Sequence, residues 1–541
     1  MDTKALRQKI LDLAIRGKLV PQDPNDEPAS VLLQRIRAEK QQMVKDGKLK
    51  AKEIKNDTVI FLGDDNLHYE KIGKTEHCIE EEIPFTLPNG WSWTKINTIA
   101  FVTKLAGFEY TNNIAPNLCE SGVPLFKGKN VQDSKIIYEF ESYIPEQVSD
   151  ELSRSQITRK CILTPYVGTI GNIGIHSKVG KYHLGSNVGK VELYNANETL
   201  LEEYVVAYLK SSYGYSELTN HMKATAQASI SIEAIRDVFI PVPPANEQHR
   251  IISKLNELIS LVEIIESDKT DLQTTIQLTK SKILDLAIRG KLVPQNPDDE
   301  PASVLLDRIR AEKEELIKQG KIKRDKKESV IFRGDDNSYY EKIGDTVTCI
   351  DEELPFELPD GWAWVRLQTC CQKEIKRGKS PKYAESSDTL VFAQKCNTKY
   401  DGINMELALY LDESTLVKYP NDEYMQDKDT VINSTGTGTL GRVGIYRKTD
   451  NRRGKPVVPD SHVTVIRANN EISAEYLYFF LKAYQQELEK LGEGSTNQKE
   501  LKPLTLKNLI VALPPYAEQE RIIEIITAAF EIMTNIEKSL S

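Results

Sequence analysis

The sequence predicts a mixed α/β protein in which two globular domains are separated by two long antiparallel coiled-coil helices. Three observations predict this fold class: a repeated unit, a heptad spacing of apolar residues, and short alternating strands between the repeats. The repeat further predicts that the two halves are related by a pseudo-two-fold axis.

The first observation is that one unit of the chain occurs twice. Four segments return in the second half with few changes: 10–40 as 283–313, 59–66 as 330–337, 87–93 as 358–364, and 243–252 as 514–523. Between Trp93 and Pro241, and again between Trp364 and Leu513, the two copies diverge. The ends of the unit are therefore alike, while its middles differ.

The second observation is an apolar seam after each Pro-Pro pair. Prolines at these points end the preceding strand, and apolar residues then alternate four and three positions apart, as the buried positions of a coiled coil do. We predict that these residues form both the helix seam and the surface on which partner subunits dock: Ile251, Leu255, Leu258, Val262, Ile265, Leu272, Ile276, Ile283, Leu286, Ile522, Ile526, Met533, Ile536 and Leu540.

The seam also indicates that the repeat is circularly permuted. Leu6 and Ile10 correspond to Thr279 and Ile283, so the second long helix is divided between the two ends of the chain. If the ends meet in space, the protein has two equivalent arms on two equivalent helices, which would most simply pack antiparallel.

The third observation is the strand pattern of the middles. Short alternating stretches (KIIYEF, KCILTPYVG and GKVEL in the first copy, TVINS and HVTVIR in the second) are separated by Gly, Asn and Pro turns, and helices are predicted at 203–210 and 474–484. The predicted segments are a helical segment at 1–45, a domain with its leader at 46–240, the central helix and helical repeat at 241–320, a second domain with its leader at 321–512, and a last helix at 513–541.

Composition sets limits on the class of protein. The chain has 541 residues, of which 40% are hydrophobic, and this is ample for real cores. Its net charge of −9 argues against a nucleic-acid partner, but residues 95–200 and 365–470 carry +1 and +4, so basic patches fit within the middles. No apolar run is long enough to span a membrane, and we expect a cytoplasmic protein. The scattered cysteines indicate reduced thiols, with neither a disulfide framework nor a metal site.

Two short motifs imitate catalytic sites. Gly436, Gly438 and Gly441 spell GxGxxG, but RVGIY continues as a predicted strand, whereas a dinucleotide-binding loop must open a helix. LPPY at 513–516 lies one residue from a base-holding segment of amino-methyltransferases, but the other copy has VPPA, so we interpret it as a proline stop before a helix. The sequence predicts no catalytic residue.

Two variable domains between repeated ends, a PPxxEQxxII entry to a long helix, a shared GxxGxxG trace at Gly168 and Gly438, and permuted termini resemble the specificity subunit of a type I restriction-modification enzyme. The resemblance covers essentially the whole chain, and its strength lies in the organisation, since each short motif is weak.

The resemblance implies that each middle is a target recognition domain that reads one half of a bipartite, asymmetric site in double-stranded DNA. The helices would set the spacer and dock two methyltransferase (modification) subunits, to which restriction/translocase subunits are added. S-adenosylmethionine, ATP and Mg²⁺ would be used by the partner subunits, and this chain would be a non-catalytic subunit without cofactor or metal.

Polar residues in loops that follow predicted strands are the candidates for DNA contact, because Arg, Lys and Asn can bind phosphates or read base edges. The candidates are Lys127, Lys129, Asn130, Thr169, Asn172, Ser186 and Asn187 in the first middle, and Lys376, Arg377, Lys379, Lys395, Asn397, Thr437, Arg442, Arg452, Arg453, Ser461 and His462 in the second. Solvated loop polarity is the alternative for each of them, and for His462 a buried structural role is a further alternative.

Two other classes of function stay open on the residues alone. A duplicated scaffold that binds proteins would lack salt-sensitive affinity for duplex DNA. A self-sufficient methyltransferase or nuclease would need an intact cofactor or metal motif, and the sequence offers none that we would defend.

Overall fold

The two copies of the repeated unit fold into matching sets of elements. The structure, a computed structural model, describes residues 2–55, 57–194, 200–220, 222, 228–320, 328–399, 402–436, 438–494 and 499–540. The chain divides into a first unit, Met1–Lys269, and a second unit, Thr270–Ser541. One helix, Ala245–Ile288, begins in the first unit and ends in the second.

The helices of the first unit start and stop where local chemistry directs. Thr3–Ile15 begins where the Asp2 carboxylate accepts a hydrogen bond from the Ala5 backbone N–H at 3.0 Å, and it ends just before Gly17, whose φ is +63°. The other helices of this unit are Ala29–Lys45, Ala51–Ile54, Ile96–Ile99, Gly107–Glu109, Glu146–Glu151, Glu202–Lys210, Ser212–Thr219 and Ile232–Asp237.

The strands of the first unit form several small sheets. An antiparallel sheet contains Thr58–Leu62, His68–Ile72 and Thr75–Cys78, and a two-stranded pair joins Ser92–Lys95 to Phe239–Val242. The divergent middle contains two four-stranded sheets and a short hairpin. In spatial order they are Gly174–His176, Cys161–Pro165, Val188–Leu193 and Ala100–Lys104; Gln156–Ile157, Tyr182–Leu184, Val123–Phe126 and Tyr143–Ile144; and Val131–Gln132 with Lys135–Ile136.

The second unit repeats this plan with different lengths. Its strands, in spatial order, are Ser329–Arg333, Tyr339–Ile343 and Thr346–Cys349; Ala363–Arg366 and Ile510–Leu513; Val443–Ile445, Thr430–Asn433 and Val463–Ile466; and Tyr383–Ala384, Leu409–Leu411, Leu390–Phe392 and Val457–Pro459. Its further helices are Ala302–Lys318, Ala474–Ala483, Gln485–Lys490, Pro503–Lys507 and Tyr516–Leu540. In the described part of the chain, no helix is long and apolar enough to cross a membrane.

Most strands and helices predicted for the middles are confirmed within one or two residues of their ends, and both Pro-Pro pairs precede a long helix as predicted. The strand predicted as KCILTPYVG ends three residues early, at Pro165, and KIIYEF departs further, since only Lys135–Ile136 of it is a strand. In the rest of this segment, the rings of Tyr138 and Phe140 contact the buried ring of Phe126. The carbonyls of Ile137 and Glu139 accept hydrogen bonds from the Asn130 side chain instead of from a strand. The alternation therefore indicated burial correctly but the wrong backbone pairing.

A buried hydrogen bond fixes the start of each long helix. The indole N–H of Trp91 donates to Glu247 at 2.9 Å, and that of Trp362 donates to Glu518 at 3.0 Å. Burial raises the pKa of both carboxyl groups, and the indole hydrogen bonds oppose that rise. In both units this hydrogen bond holds the PNGW or PDGW turn against the PPxxEQ segment at the start of the helix, and we call this contact the joint.

The joint also explains why the repeated IRGK sequence has a glycine in both copies. A Cβ at position 17 would lie 2.5 Å from Cγ of Pro88, and the φ of +63° would strain any other residue there. Gly290 has the same φ and meets Pro359 in the same way. Only glycine therefore lets the chain pass this close to the Trp-containing turn.

Inside each unit, two helices are joined by an ion pair at the same position of the repeat. Arg7 pairs with Glu266 at 3.1 Å in the first unit, and Lys280 pairs with Glu537 at 2.7 Å in the second. In the repeat, Arg7 corresponds to Lys280, and Glu266 corresponds to Glu537. Ile10 shares a core with Ile251 and Leu255, so the Thr3–Ile15 helix runs antiparallel to the helix that begins at Ala245.

The predicted seam residues differ in burial. Ile251, Leu255, Val262, Ile276, Ile522, Ile526 and Met533 are buried, and Leu258, Ile283, Leu286 and Leu540 are partly buried. Ile265, Leu272 and Ile536 are exposed by 36%, 39% and 37% of their surfaces. Ile251, Leu255 and Val262 pack in a core of the first unit, and Ile522 and Ile526 pack in the core of the second unit.

We predict that Trp91→Phe destabilises the first unit more than Trp93→Phe does. Both changes remove the same volume from a buried site, but only the first removes a donor from a buried carboxylate, at a cost of about 1.5–3 kcal/mol. Within the described residues, the Trp93 indole N–H has no hydrogen-bond partner, so Trp93→Phe is the matched control. Differential scanning calorimetry of the full chain measures the difference as a shift of about 2–4 °C per kcal/mol. Equal shifts for the two variants would contradict the prediction that the hydrogen bond from Trp91 to Glu247 stabilises the first unit.

Candidate nucleic-acid interface

Three loops meet at the strand ends of the divergent middle in the first unit. They are residues 127–131, 166–172 and 186–187, and we call them the first loop cluster. The Gly128 backbone N–H donates to Ser186 O at 3.2 Å, and the Tyr166 N–H donates to Asn187 O at 3.2 Å. The strands Val123–Phe126 and Tyr182–Leu184 are parallel, so the loops that follow them emerge at the same edge.

The second unit gathers three loops in the same manner. They are residues 393–397, 434–442 apart from 437, and 460–462, and we call them the second loop cluster. The Asp460 N–H donates to Phe392 O at 3.1 Å, and the Ser434 N–H donates to His462 O at 2.8 Å. The amide of Asn433 adds a bond to Gln394 O at 3.2 Å.

Strand register shows which positions of the two clusters correspond. Phe126 pairs with Leu184 as Phe392 pairs with Pro459, and Pro165 pairs with Val188 as Asn433 pairs with Val463. By this register three pairs of candidate residues are equivalent: Lys129 with Lys395, Ser186 with Ser461, and Asn187 with His462. The clusters thus share a backbone frame and differ in some of the side chains that the frame presents.

The register also revises the glycine alignment made from sequence. Gly168 takes the place of Gly436, not of Gly438, and both have a left-handed backbone, with φ of +86° and +107°. The second loop accommodates extra residues before Gly441, which the sequence pattern could not reveal. The strand at Val443–Ile445 follows this loop, so the GxGxxG sequence is a turn between strands, as predicted.

The side chains of three predicted contact residues form hydrogen bonds within the loops themselves. Asn130 is buried, and its amide donates to the carbonyls of Ile137 and Glu139 at 3.0 and 2.9 Å. Asn397 is also buried and donates to Arg442 O at 3.0 Å, while the Arg442 guanidinium donates back to Asn397 O at 2.8 Å. These side chains shape the loops and are not free in this conformation to reach a base.

Several other candidates have partners within their own unit. Lys127 donates to the Ser142 hydroxyl at 2.8 Å, and the half-buried Asn172 donates to Val131 O at 3.1 Å. Ion pairs join Lys129 to Glu141, Arg377 to Glu500, and Lys376 to Glu423. An exposed pair such as Lys129–Glu141 is worth little and can exchange for a phosphate.

Arg452 and Arg453 lie away from the second loop cluster. They precede the strand Val457–Pro459, whereas the cluster residues 460–462 follow it. The guanidinium of Arg453 is bound to the carbonyl of Ala408 at 3.0 Å and stands 5.5 Å from the ring of Tyr410, whereas Arg452 is exposed. The structure therefore does not bring these arginines together with the other candidates.

The remaining candidates present their side chains at the clusters. Thr169, Asn187, Lys395 and His462 are exposed, whereas Ser186, Ser461 and Lys379 are partly buried. Thr437 lies outside the described residues.

His462 is exposed and is therefore not the buried structural residue that we considered as an alternative. Its Nδ1 lies 2.6 Å from the Thr435 hydroxyl, which orients the ring, and its backbone N–H donates to Asp460 at 2.8 Å. Burial raises the pKa of Asp460, while that N–H lowers it. An imidazole held in this way can donate or accept a hydrogen bond at a base edge.

Sequence reasoning missed Lys104, which flanks the first loop cluster. It pairs across the sheet with Gly189, as Arg377 pairs with Thr464, so Lys104 and Arg377 are equivalent. The Lys104 ammonium lies 4.4 Å from the ring centroid of Tyr166. Each cluster therefore has a basic residue at this position. The only signal for Lys104 is the strand register, which the divergent sequences hide.

The described residues contain no group of three or more His, Cys, Asp or Glu side chains arranged to hold a metal ion. Burial lowers the pKa of His176 and His183, which keeps these imidazoles uncharged at neutral pH.

Comparison with known proteins identifies relatives over most of the chain. The profile of the family described as "Type I restriction modification DNA specificity domain" matches residues 111–274 and 359–541. The type I restriction enzyme EcoEI specificity subunit of Escherichia coli is 28% identical over 99% of this chain and 90% of its own length. The EcoAI specificity subunit of the same organism is 32% identical over 67% of this chain and 62% of its own length.

A solved structure shares the fold. A chain from work on complex assembly and conformational transition of the type I R-M system has a TM-score of 0.57 and 15% identity, covering 84% of this chain and 94% of that one. The two segments matched by the family profile include both loop clusters and the entry to each long helix. The chain therefore belongs to the type I restriction-modification DNA specificity family.

Proposed function

We propose that each loop cluster reads one half of a bipartite, asymmetric site in double-stranded DNA for a type I restriction-modification complex, in which this chain is the non-catalytic specificity subunit. The observation that carries the proposal is the equivalence of the two clusters: one backbone frame presents Asn187 in the first unit and His462 in the second. Two sites built alike but lined differently suit two half-sites of different sequence.

The proposed contacts divide by chemistry. Lys129, Lys395, Lys104 and Arg377 are basic side chains in or beside the clusters and would bind phosphates, which position the protein without reading sequence. Asn187, His462 and Thr169 have hydrogen-bonding groups at the exposed surface, and such groups can discriminate base edges. Arg452 would at most bind a phosphate outside the cluster.

The repeated segments would serve the partners. We propose that the long helices set the spacer between half-sites, and that the repeated surfaces dock two modification subunits, to which restriction subunits are added. Two identical partners need two alike surfaces, and this need accounts for repeats that stay alike beside middles that diverge.

We place S-adenosylmethionine, ATP and Mg²⁺ on the partner subunits. The GxGxxG sequence of this chain does not suit a dinucleotide, because it is followed by the strand Val443–Ile445 and does not open a helix. The alternative of a protein-binding scaffold without DNA specificity is disfavoured by the match to a DNA specificity family.

We predict that Lys395→Ala weakens binding of the assembled complex to its target DNA and makes binding less dependent on salt. Loss of one phosphate contact should reduce the slope of log K against log salt concentration by about 0.9. Fluorescence anisotropy at several salt concentrations measures both effects. Lys448→Ala is the control, because this exposed lysine lies beyond the end of the Val443–Ile445 strand that is opposite the cluster. A wild-type slope in Lys395→Ala would remove this residue from the interface.

Exchange of residues 94–240 for the corresponding segment of a relative should change one half of the methylated site and leave the other half as it was. The physical reason is that this exchange replaces the first loop cluster and retains the second. Methylome sequencing of a host that expresses the chimera with its partners gives the result. A change in both halves would contradict the assignment of one cluster to each half-site.

Insertion of four residues next to Leu272 should lengthen the spacer between the half-sites without altering either half. At 1.5 Å per helical residue the insertion adds about 6 Å, equivalent to about two base pairs at 3.4 Å each. Four residues are close to one helical turn, so the seam resumes nearly in register. Sequencing of methylated sites in this variant tests the idea, and an unchanged spacer would disprove the ruler role of the helix.

A further inference from the structure

A small antiparallel sheet occurs in both units outside the divergent middles. It contains the strands 58–62, 68–72 and 75–78 in the first unit and 329–333, 339–343 and 346–349 in the second, and we call each copy the hairpin sheet. In both copies the third strand lies at the sheet edge, and all its residues are exposed. Neither loop cluster includes any residue of these sheets.

Strand register assigns each residue of the hairpin sheet to one of two faces. Thr58, Ile60 and Glu70 share the inner face, where Thr58 and Glu70 are buried. The outer face of the first copy consists of Val59, Phe61, Tyr69, Lys71, Glu76 and Cys78. The corresponding outer face of the second copy consists of Val330, Phe332, Tyr340, Lys342, Val347 and Cys349.

The outer face is better preserved between the copies than the inner face. On the outer face only Glu76 changes, to Val347. On the inner face Thr58 becomes Ser329, Leu62 becomes Arg333, His68 becomes Tyr339 and His77 becomes Thr348. Leu62 and His77 are exposed, as are the constant residues Phe61, Lys71 and Cys78. Exposed positions of this sheet are therefore free to change, and an exposed face that stays constant is constrained by something other than the fold.

The preserved residues form one exposed aromatic feature. Phe61 stacks on Tyr69 with ring centroids 6.0 Å apart and planes inclined by 24°, and Phe332 stacks on Tyr340 at 6.0 Å and 26°. Each tyrosine hydroxyl donates to an aspartate at 2.8 Å, Asp65 in the first copy and Asp336 in the second. Phe61 and Phe332 remain 37% and 42% exposed. An ordered, exposed ring pair of this kind is typical of the anchors of protein interfaces.

The negative charge of the hairpin-sheet segments favours one kind of partner over another. Residues 58–82 carry seven carboxylates against two lysines, and residues 329–353 carry seven carboxylates against one lysine and one arginine. Asp65 and Asp336 touch the ring pairs through the tyrosine hydroxyls. DNA would be repelled by such a surface, whereas a protein surface rich in Lys or Arg would be attracted.

We infer that each hairpin sheet docks one modification subunit, whose contacting surface is basic and accepts the exposed aromatic pair. This inference rests on the proposed function, which requires two copies of one partner, and it places their contact on a surface other than the helix seam. Two equivalent acidic-aromatic faces on one chain fit two identical partners.

Two exposed thiols allow a direct test in the unaltered chain. Cys78 and Cys349 lie on the outer faces beside Tyr69 and Tyr340, and Cys119 is exposed elsewhere in the first unit. Alkylation by iodoacetamide, with each site followed by mass spectrometry, is expected to slow about tenfold or more at Cys78 and Cys349 when purified modification subunit is added. The rate at Cys119 should not change.

Substitution tests the same contact independently. Phe61→Ala and Phe332→Ala should each weaken the binding of one of two modification subunits by about tenfold or more, and the double variant should weaken both. Native mass spectrometry gives the stoichiometry, and calorimetry checks that the fold is intact. Phe108→Ala is the control, because Phe108 is 69% exposed in the first unit and lies outside the repeat.

The outcomes separate this inference from the proposed function. Two modification subunits bound with wild-type affinity to the double variant, or unprotected Cys78 and Cys349 in the complex, would overturn the docking site alone. Protection of these thiols by a second copy of this chain, without the modification subunit, would also overturn it. A wild-type chain that bound no modification subunit would overturn both proposals.

Discussion

The rest of the structure depends on a buried hydrogen bond between an indole and a carboxylate at the entry to each long helix. Trp91 and Glu247 form it in the first unit, and Trp362 and Glu518 form it in the second. A carboxylate in such a place is costly unless a donor meets it, so the PNGW-type turn and the helix must stay together. The preceding segment reaches the joint only because Gly17 and Gly290 have no side chain. Three distant parts of the repeat are thus preserved by one local constraint.

The divergent middles follow a different constraint. Their sheets keep a common register, in which a parallel pair brings two strand ends to the same edge and two backbone hydrogen bonds join the neighbouring loops. Buried amides, Asn130 in one unit and Asn397 in the other, satisfy carbonyls that the loops leave unpaired. With the frame fixed in this way, the side chain at the exposed position 462 can vary at little cost to the fold, whereas position 187, with a φ of +65°, favours Asn or Gly.

The net charge of −9 is compatible with a DNA-binding function because the charge is divided between surfaces. Basic residues such as Lys104, Lys129, Arg377 and Lys395 lie in or beside the loop clusters, while carboxylates crowd the hairpin sheets. On the two proposals made above, surfaces of opposite sign on one chain would direct DNA and protein partners to different places. The total charge therefore says little about the partner, and its distribution says more.

The sequence by itself determined the organisation: the repeated unit, the places where the long helices begin and several strands of the middles. These follow from apolar periodicity, proline stops and near-identical segments, all of which are local properties. The sequence also supplied a candidate list for contact, because polar residues after strands tend to lie in loops. Its error for KIIYEF shows the limit of periodicity, since alternation reports burial and not the partner of the backbone.

Only the tertiary structure decided which candidates share a surface. Burial and internal hydrogen bonds remove Asn130, Asn397 and Arg442 from the exposed set, and strand direction separates Arg452 from the second loop cluster. The equivalence of Lys104 with Arg377, and the exposed outer faces of the hairpin sheets, depend on cross-strand register. Register joins residues far apart in the chain, so no local pattern can reveal it.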